Sequence, residues 1–253
     1  MTDTHTHLYY NEECEAFIKR AIEAGIDRMI MPNVDTQSIT PMKDLANKFP
    51  ENFRMAMGLH PTSVGEDIDE QFSAIENELK SNSKDFIAIG EIGMDLYWDK
   101  TFLNKQQEIF HLQLSMAEKL QKPVIIHCRE ALNETLEVLS EHPASIGVFH
   151  SFGGSVEDVE TILKQTDGRF YFGINGIVTF KNSNLRNVLL SIPKEQILLE
   201  TDSPYLAPVP FRGKKNESAY LPYINAVVAE SLGLTPNETA TLTSNNSINL
   251  FGF

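Results

Sequence analysis

The sequence predicts an α/β fold, a (β/α)8 barrel, and three observations carry that expectation. Short apolar or β-branched runs recur about every 25–35 residues, and segments of helical period lie between them. Histidines or carboxylates also stand at the C-terminal ends of several of these runs, which is the face where such barrels carry their chemistry.

The strands are read, in order, at Thr2–His7, Arg28–Pro32, Arg54–Leu59, Phe86–Glu91, Pro123–His127, Ile146–His150, Phe170–Ile174 and Gln196–Glu200. Between them Phe72, Ile75 and Leu79 share one helical face, as do Leu132, Leu136 and Leu139, then Val156, Val159 and Leu163, then Leu185, Val188, Leu189 and Ile192. Strands such as PVIIHC and QILLET are continuously apolar at their centres, which suits a parallel sheet covered by helices. Eight such units in about 200 residues favour a closed barrel over an open doubly wound sheet. A basic loop with Gly and Pro, Pro204–Asn216, follows the last strand, and helical segments run from there to the C-terminus. With no low-complexity stretch or linker, residues 1–253 are expected to form a single domain.

Composition narrows the function classes. The 253 residues are 42% hydrophobic, enough to bury one large core, and no apolar run approaches the roughly 18 residues of a membrane helix. Without a charged-then-apolar leader, a soluble cytoplasmic protein with no membrane partner is expected. Cys14 and Cys128 lie far apart and read as small core residues. A net charge of −14 argues against wrapping duplex nucleic acid, which requires many Lys and Arg contacts to phosphate. It does not argue against chemistry at a local cation site, because distant surface charges are screened.

The candidate chemistry starts at His5 and His7. Residues two apart in a strand point the same way, so both imidazoles can face one metal from the barrel interior. Glu91 ends the apolar run Ile87-Ala88-Ile89-Gly90 and can bridge two cations through its two oxygens. His127 and His150 end the fifth and sixth strands. Glu200 and Asp202 follow the eighth and share a face if the strand stays regular, with Asp202 preferred as ligand because it lies nearer the mouth. Four histidines and two carboxylates suit a pair of divalent ions, since a single tetrahedral site leaves two ligands over. Mixed imidazole and carboxylate donors accept Mg, Mn or Zn without selecting one.

At these residues the chain resembles the TatD family of metal-dependent deoxyribonucleases, within the amidohydrolase-like TIM barrels, and does so from end to end. The matching segments are DTHTHL, MGLHP, IGEIGMD, IIHCRE, FHSFGGS, INGIVTFKN, LLETDSPYLAPVPFRGKKNES and SNNSINLFGF. The resemblance implies that one ion is held by His5, His7, Glu91 and Asp202, and a second by Glu91, His127 and His150. It also implies hydrolysis of DNA at single strands or ends, as a 3′–5′ exonuclease. Met94 and Leu96-Tyr97-Trp98 around Asp95 depart from the family pattern, as does Asn175 where serine is expected, and these departures touch substrate loops.

The catalytic set read here is Asp202, Glu91, His60 and Arg129. Asp202 serves as ligand alone or also as the base that takes a proton from water. Arg129 and His60 are candidates to hold phosphate oxygens. Their alternatives are a salt bridge for Arg129 and a contact to a metal ligand for His60. Arg212, with Lys214 and Lys215, meets a nucleic-acid strand or forms a solvated loop. Trp98 and Tyr97 stack on a base or serve as lid or core. His111 and His142 read as surface residues. A competing expectation is a hydrolase of a small amide, lactone or ester. The resemblance weighs against it, because many carbonyl-cleaving relatives carry a carbamylated lysine where this chain has Glu91. A non-catalytic metal-stabilised barrel is the remaining alternative.

Overall fold

The computed structural model describes residues 1–253 except 12 and 67. Its eight strands are β1 (Thr2–Asp3), β2 (Arg28–Pro32), β3 (Phe53–Met57), β4 (Phe86–Asp95), β5 (Val124–Arg129), β6 (Gly147–Phe149), β7 (Phe170–Ile174) and β8 (Ile197–Leu199). They pair in parallel in chain order. The barrel closes where Thr4 N donates to Leu199 O at 3.1 Å and Thr6 bridges Ser203. Helices α1 (Cys14–Glu23), α2 (Ile39–Lys48), α3 (Ile68–Asn82), α4 (Leu103–Leu120), α5 (Leu132–Ser140), α6 (Val156–Gln165) and the short α7 (Leu185–Val188) connect successive strands. Two more, α8 (Leu221–Leu232) and α9 (Pro236–Phe251), follow β8. Among the described residues no helix is long and apolar enough to cross a membrane.

The alternation of side chains along each strand divides the core in two. In β2, Met29 and Met31 join the large cluster under the helices, whereas Ile30 joins a smaller one with Ala56, Ala88, Ile125, Val148 and Leu198. These small and branched residues, contributed by six strands, fill the barrel interior. Leu250 and Phe251 of α9 pack into the same cluster. Asn246 fixes that helix beneath β8, its Nδ2 donating to the carbonyls of Lys194 and Ile197 at 2.8 Å each. The Thr235–Glu238 capping box sets where α9 begins. The N-terminal end of the barrel is thus plugged, and the opposite end is left for polar groups.

Several expectations need correction. The strand read as Thr2–His7 keeps ladder pairing only over Thr2–Asp3, because the chain bends at His7 into a short 3-10 turn, Leu8–Tyr10. The fourth strand runs on to Asp95 rather than stopping at Glu91, with a register shift between Ile89 and Ile92. The eighth is only three residues long. His142 is buried and His111 half-buried, so neither is a plain surface residue. The turn after α5 lies against α4, bringing His142 Nε2 within 3.0 Å of His111 Nδ1 and His142 Nδ1 within 3.4 Å of Glu118. Cys14 and Cys128 are free and partly buried, packed against the core.

Candidate metal centre

Six side chains from β4, β5 and the segments after β1, β6 and β8 converge at the open end of the barrel. Glu91 stands at their centre. Its Oε1 faces His127 Nδ1 at 3.0 Å, His150 Nε2 at 3.0 Å and His60 Nε2 at 3.1 Å. Its Oε2 faces His5 Nε2 at 3.3 Å and His7 Nε2 at 3.7 Å. Asp202 Oδ1 lies 3.9 and 3.8 Å from the same two imidazole nitrogens. The His5 and His150 rings stack with centroids 3.7 Å apart, so His150 touches both halves of the cluster.

Hydrogen-bond accounting assigns the free lone pairs. The Tyr9 hydroxyl donates to Pro32 O at 2.6 Å and therefore accepts from His7 Nδ1 at 2.8 Å, which leaves the His7 lone pair on Nε2. His127 Nε2 donates to Asp95 Oδ2 at 2.8 Å, so its Nδ1 faces Glu91. His60 differs. Its Nδ1 accepts from Thr62 N at 3.1 Å, so Nε2 carries the proton and donates to Glu91. Donor atoms of His60, Glu91 and His127 crowd together as closely as those of His5, His7 and Glu91, all within 4.8 Å of one another. Protonation, not distance, removes neutral His60 from the ligand set.

The electrostatics follow from burial and crowding. Burial, then the nearby charge of His150, lowers His5 to about 4. Burial and His5 hold His7 well below its ordinary value. Burial opposes ionisation of Glu91, yet the imidazoles of His150, His60 and His5 keep it well below the usual carboxylate range. Burial likewise opposes charge on His127 and His150, but Asp95 and Glu91 raise the first, and Glu91 and Glu200 raise the second well above normal. Burial pushes Asp202 up to about 7. The shifts of His127 and His150 both favour the protonated imidazole beside Glu91. Lone pairs aimed at carboxylate oxygens from both sides fit divalent cations, which would replace those protons.

Glu200 and Asp202 do not share a face. The strand ends at Leu199, and Asp202 adopts a left-handed conformation with φ +56°. Asp202 is thereby turned toward His5 and His7. Glu200, buried and set aside in the sequence, points instead to His150 Nδ1 at 3.4 Å and accepts from Ser151 N at 2.5 Å. Gly173 makes room for it, since a Cβ there would meet Glu200 Oε2 at 2.2 Å. Asp95 is the other buried acid that the sequence reading named without a role. No local signal marked it, because the expected strand stopped at Glu91 whereas β4 runs on to Asp95.

A cavity of about 1200 Å³ opens over these groups, lined among others by His60, Glu91, His127, Arg129, His150 and Asp202. Arg129, a candidate phosphate contact with a salt bridge as its alternative, is exposed and stacks on Tyr97, 3.7 Å from the ring centroid. Arg212 does not line this cavity; it stacks on Phe180 at 3.9 Å. Asn175 is fully buried and donates to Ser151 Oγ at 2.6 Å, so it braces the loop after β6.

Comparison with known proteins gives the family. A family model described as TatD related DNase matches residues 2–252. The chain is 35% identical to an uncharacterized metal-dependent hydrolase, YabD, of Bacillus subtilis, over 98% of each chain. It is 32% identical to another, YcfH, of Escherichia coli, over 99% of this chain and 95% of that one. The crystal structure of YjjV, a TatD homologue from Escherichia coli, superposes with a TM-score of 0.92 at 28% identity, covering 100% of this chain and 98% of that chain.

Proposed function

The chain belongs to the family of TatD-related DNases, and from that membership we propose that this metal-dependent hydrolase cleaves phosphodiester bonds of DNA, shortening single strands or frayed ends from the 3′ side. The observation that carries the reading is Glu91, a buried carboxylate whose two oxygens face separate groups of imidazoles. Two divalent ions suit that division, one among His5, His7, Glu91 and Asp202 and the other among Glu91, His127 and His150. Such ions, of Mg, Mn or Zn, supply an activated water and polarise a phosphoryl oxygen when bound.

The protein groups supply the rest. Asp202, whose Oδ1 faces His5 and His7 at the mouth, accepts the proton of the attacking water. His60 holds Glu91 through its Nε2 proton and so keeps both carboxylate oxygens aimed. Arg129, on the cavity wall, offers a planar, permanently charged fork to the non-bridging phosphate oxygens. A local site of this kind accommodates the acidic surface, because single-strand ends require few phosphate contacts.

End-labelled single-stranded DNA incubated with the protein and magnesium, manganese or zinc tests the reading, with chelator controls and His127→Ala beside it. Stepwise shortening from the 3′ end that chelator and His127→Ala both abolish is expected. Turnover of carbonyl compounds alone would replace the nuclease reading with an amide, lactone or ester hydrolase.

A further inference from the structure

Aromatic rings stand on two opposite sides of the mouth. The strands run in order round the barrel and β8 meets β1 through Thr6 and Ser203, so the ends of β4 and β5 lie across from β8 and β1. On the β8–β1 side, Tyr10 (46% exposed) and Tyr205 (55%) flank His7, with ring centroids 6.0 and 6.4 Å from it. On the other side Trp98 is 70% exposed. Its ring centroid lies 4.8 Å from that of Tyr97 with the two planes nearly perpendicular, and the Arg129 guanidinium lies 3.7 Å from the Tyr97 centroid and 5.4 Å from that of Trp98. Arg129 therefore occupies Tyr97, while most of the Trp98 ring is left to solvent. Trp98, Arg129, Tyr10 and Tyr205 line the same cavity as Glu91 and His127.

The position of Trp98 is held from below. Asp95 Oδ1 accepts from the backbone nitrogens of Tyr97 at 3.0 Å and Trp98 at 3.4 Å, while Oδ2 accepts from His127. A large apolar ring beside a polar reaction centre, anchored through the carboxylate that orients an imidazole of that centre, is placed to hold a flat substrate group against it. Nucleobases offer such a face whatever their identity, and their stacking on aromatic rings tolerates any sequence.

We infer that Trp98, with the Arg129–Tyr97 stack beside it, forms a nucleobase-stacking subsite on the β4–β5 side of the mouth, which takes an unpaired base next to the scissile phosphate. The subsite rests on the nuclease reading of the same cavity. It demands that the base be unstacked from its partner strand, and it discriminates single-stranded or frayed ends from closed duplex without reading sequence.

Trp98 is the chain's single tryptophan, so its emission reports the subsite alone. Metal-loaded wild type is titrated with a phosphorothioate thymidine oligonucleotide and with an abasic strand of equal length. Saturable quenching by the first and none by the second is expected. On cleavable single-stranded DNA, Trp98→Ala raises KM about 10-fold with kcat within about twofold, and Trp98→Phe, which keeps an aromatic face, recovers most of the loss. Equal quenching by the abasic strand, or an unchanged KM in Trp98→Ala while wild type cleaves DNA, overturns the subsite alone. If wild type neither cleaves nor binds DNA, the nuclease reading falls and takes the subsite with it.

Discussion

The Asp95 carboxylate accepts the Nε2 proton of His127 at 2.8 Å and caps the backbone of Tyr97 and Trp98 with its other oxygen, so one buried side chain holds both the metal centre and its aromatic rim. Asp95→Asn keeps the shape but gives the amide a choice between donating to and accepting from His127. Metal affinity is expected to fall about 10–100-fold while the melting temperature changes little. Competition against a fluorescent chelator measures this, and wild-type affinity in the variant would show that the contact does not orient His127.

Metal binding is expected to weaken as pH falls. His127 and His150 are both raised, against the opposition of burial, by their acidic neighbours, so each keeps its proton to higher pH than an ordinary imidazole. A cation has to displace those protons, and lowering the pH makes the displacement costlier. Calorimetry in buffers of different ionisation enthalpy should report net proton release; none would refute the assignment.

His60 and His127 separate by stoichiometry. Because His60 donates to Glu91 through Nε2, His60→Ala is expected to retain bound metal while activity drops about 10–100-fold. His127→Ala is expected to lose one metal equivalent. Elemental analysis of the two purified variants decides, and equal losses would make His60 a ligand.

Gly173→Ala places a Cβ 2.2 Å from Glu200 Oε2 in a buried site. Destabilisation of about 1–3 kcal/mol is expected from the forced displacement. Urea denaturation measures it, and a midpoint equal to wild type would mean that Glu200 moves aside freely.

Asn246→Leu removes one amide that serves two carbonyls beneath β8. Leaving Lys194 O and Ile197 O without their donor is expected to cost about 1–3 kcal/mol at a position remote from the cavity. Thermal melting should fall with metal stoichiometry unchanged; loss of metal as well would tie the barrel floor to the site.

The chain order of strands and helices was legible because burial imposes periods on side chains. The apolar runs at Arg28–Pro32 and Phe170–Ile174 coincide with β2 and β7 to the residue. The convergence of the HxH pair, Glu91, His127, His150 and Asp202 was legible because each stands within or just beyond an apolar strand. Periodicity cannot see backbone pairing between distant segments, so the early departure of β1 from the ladder escaped it. The prolongation of β4 past its irregular register escaped for the same reason, and with it the role of Asp95. His142 looked exposed because its neighbours are polar, and its burial comes from α4 packing over that turn.

Composition and spacing, which are local properties, were enough to name the donors and the barrel face on which they gather. Long-range packing was needed to show which nitrogens of His7, His60 and His127 donate to protein partners. It also decided that Asp202 and Glu200 part company at a left-handed backbone, and that Arg129 leans on Tyr97. Those choices depend on a partner supplied from elsewhere in the chain: Pro32 for His7 through Tyr9, Asp95 for His127, and His5 for Asp202. Proton placement and side-chain aim are settled by such neighbours, and packing alone brings them together.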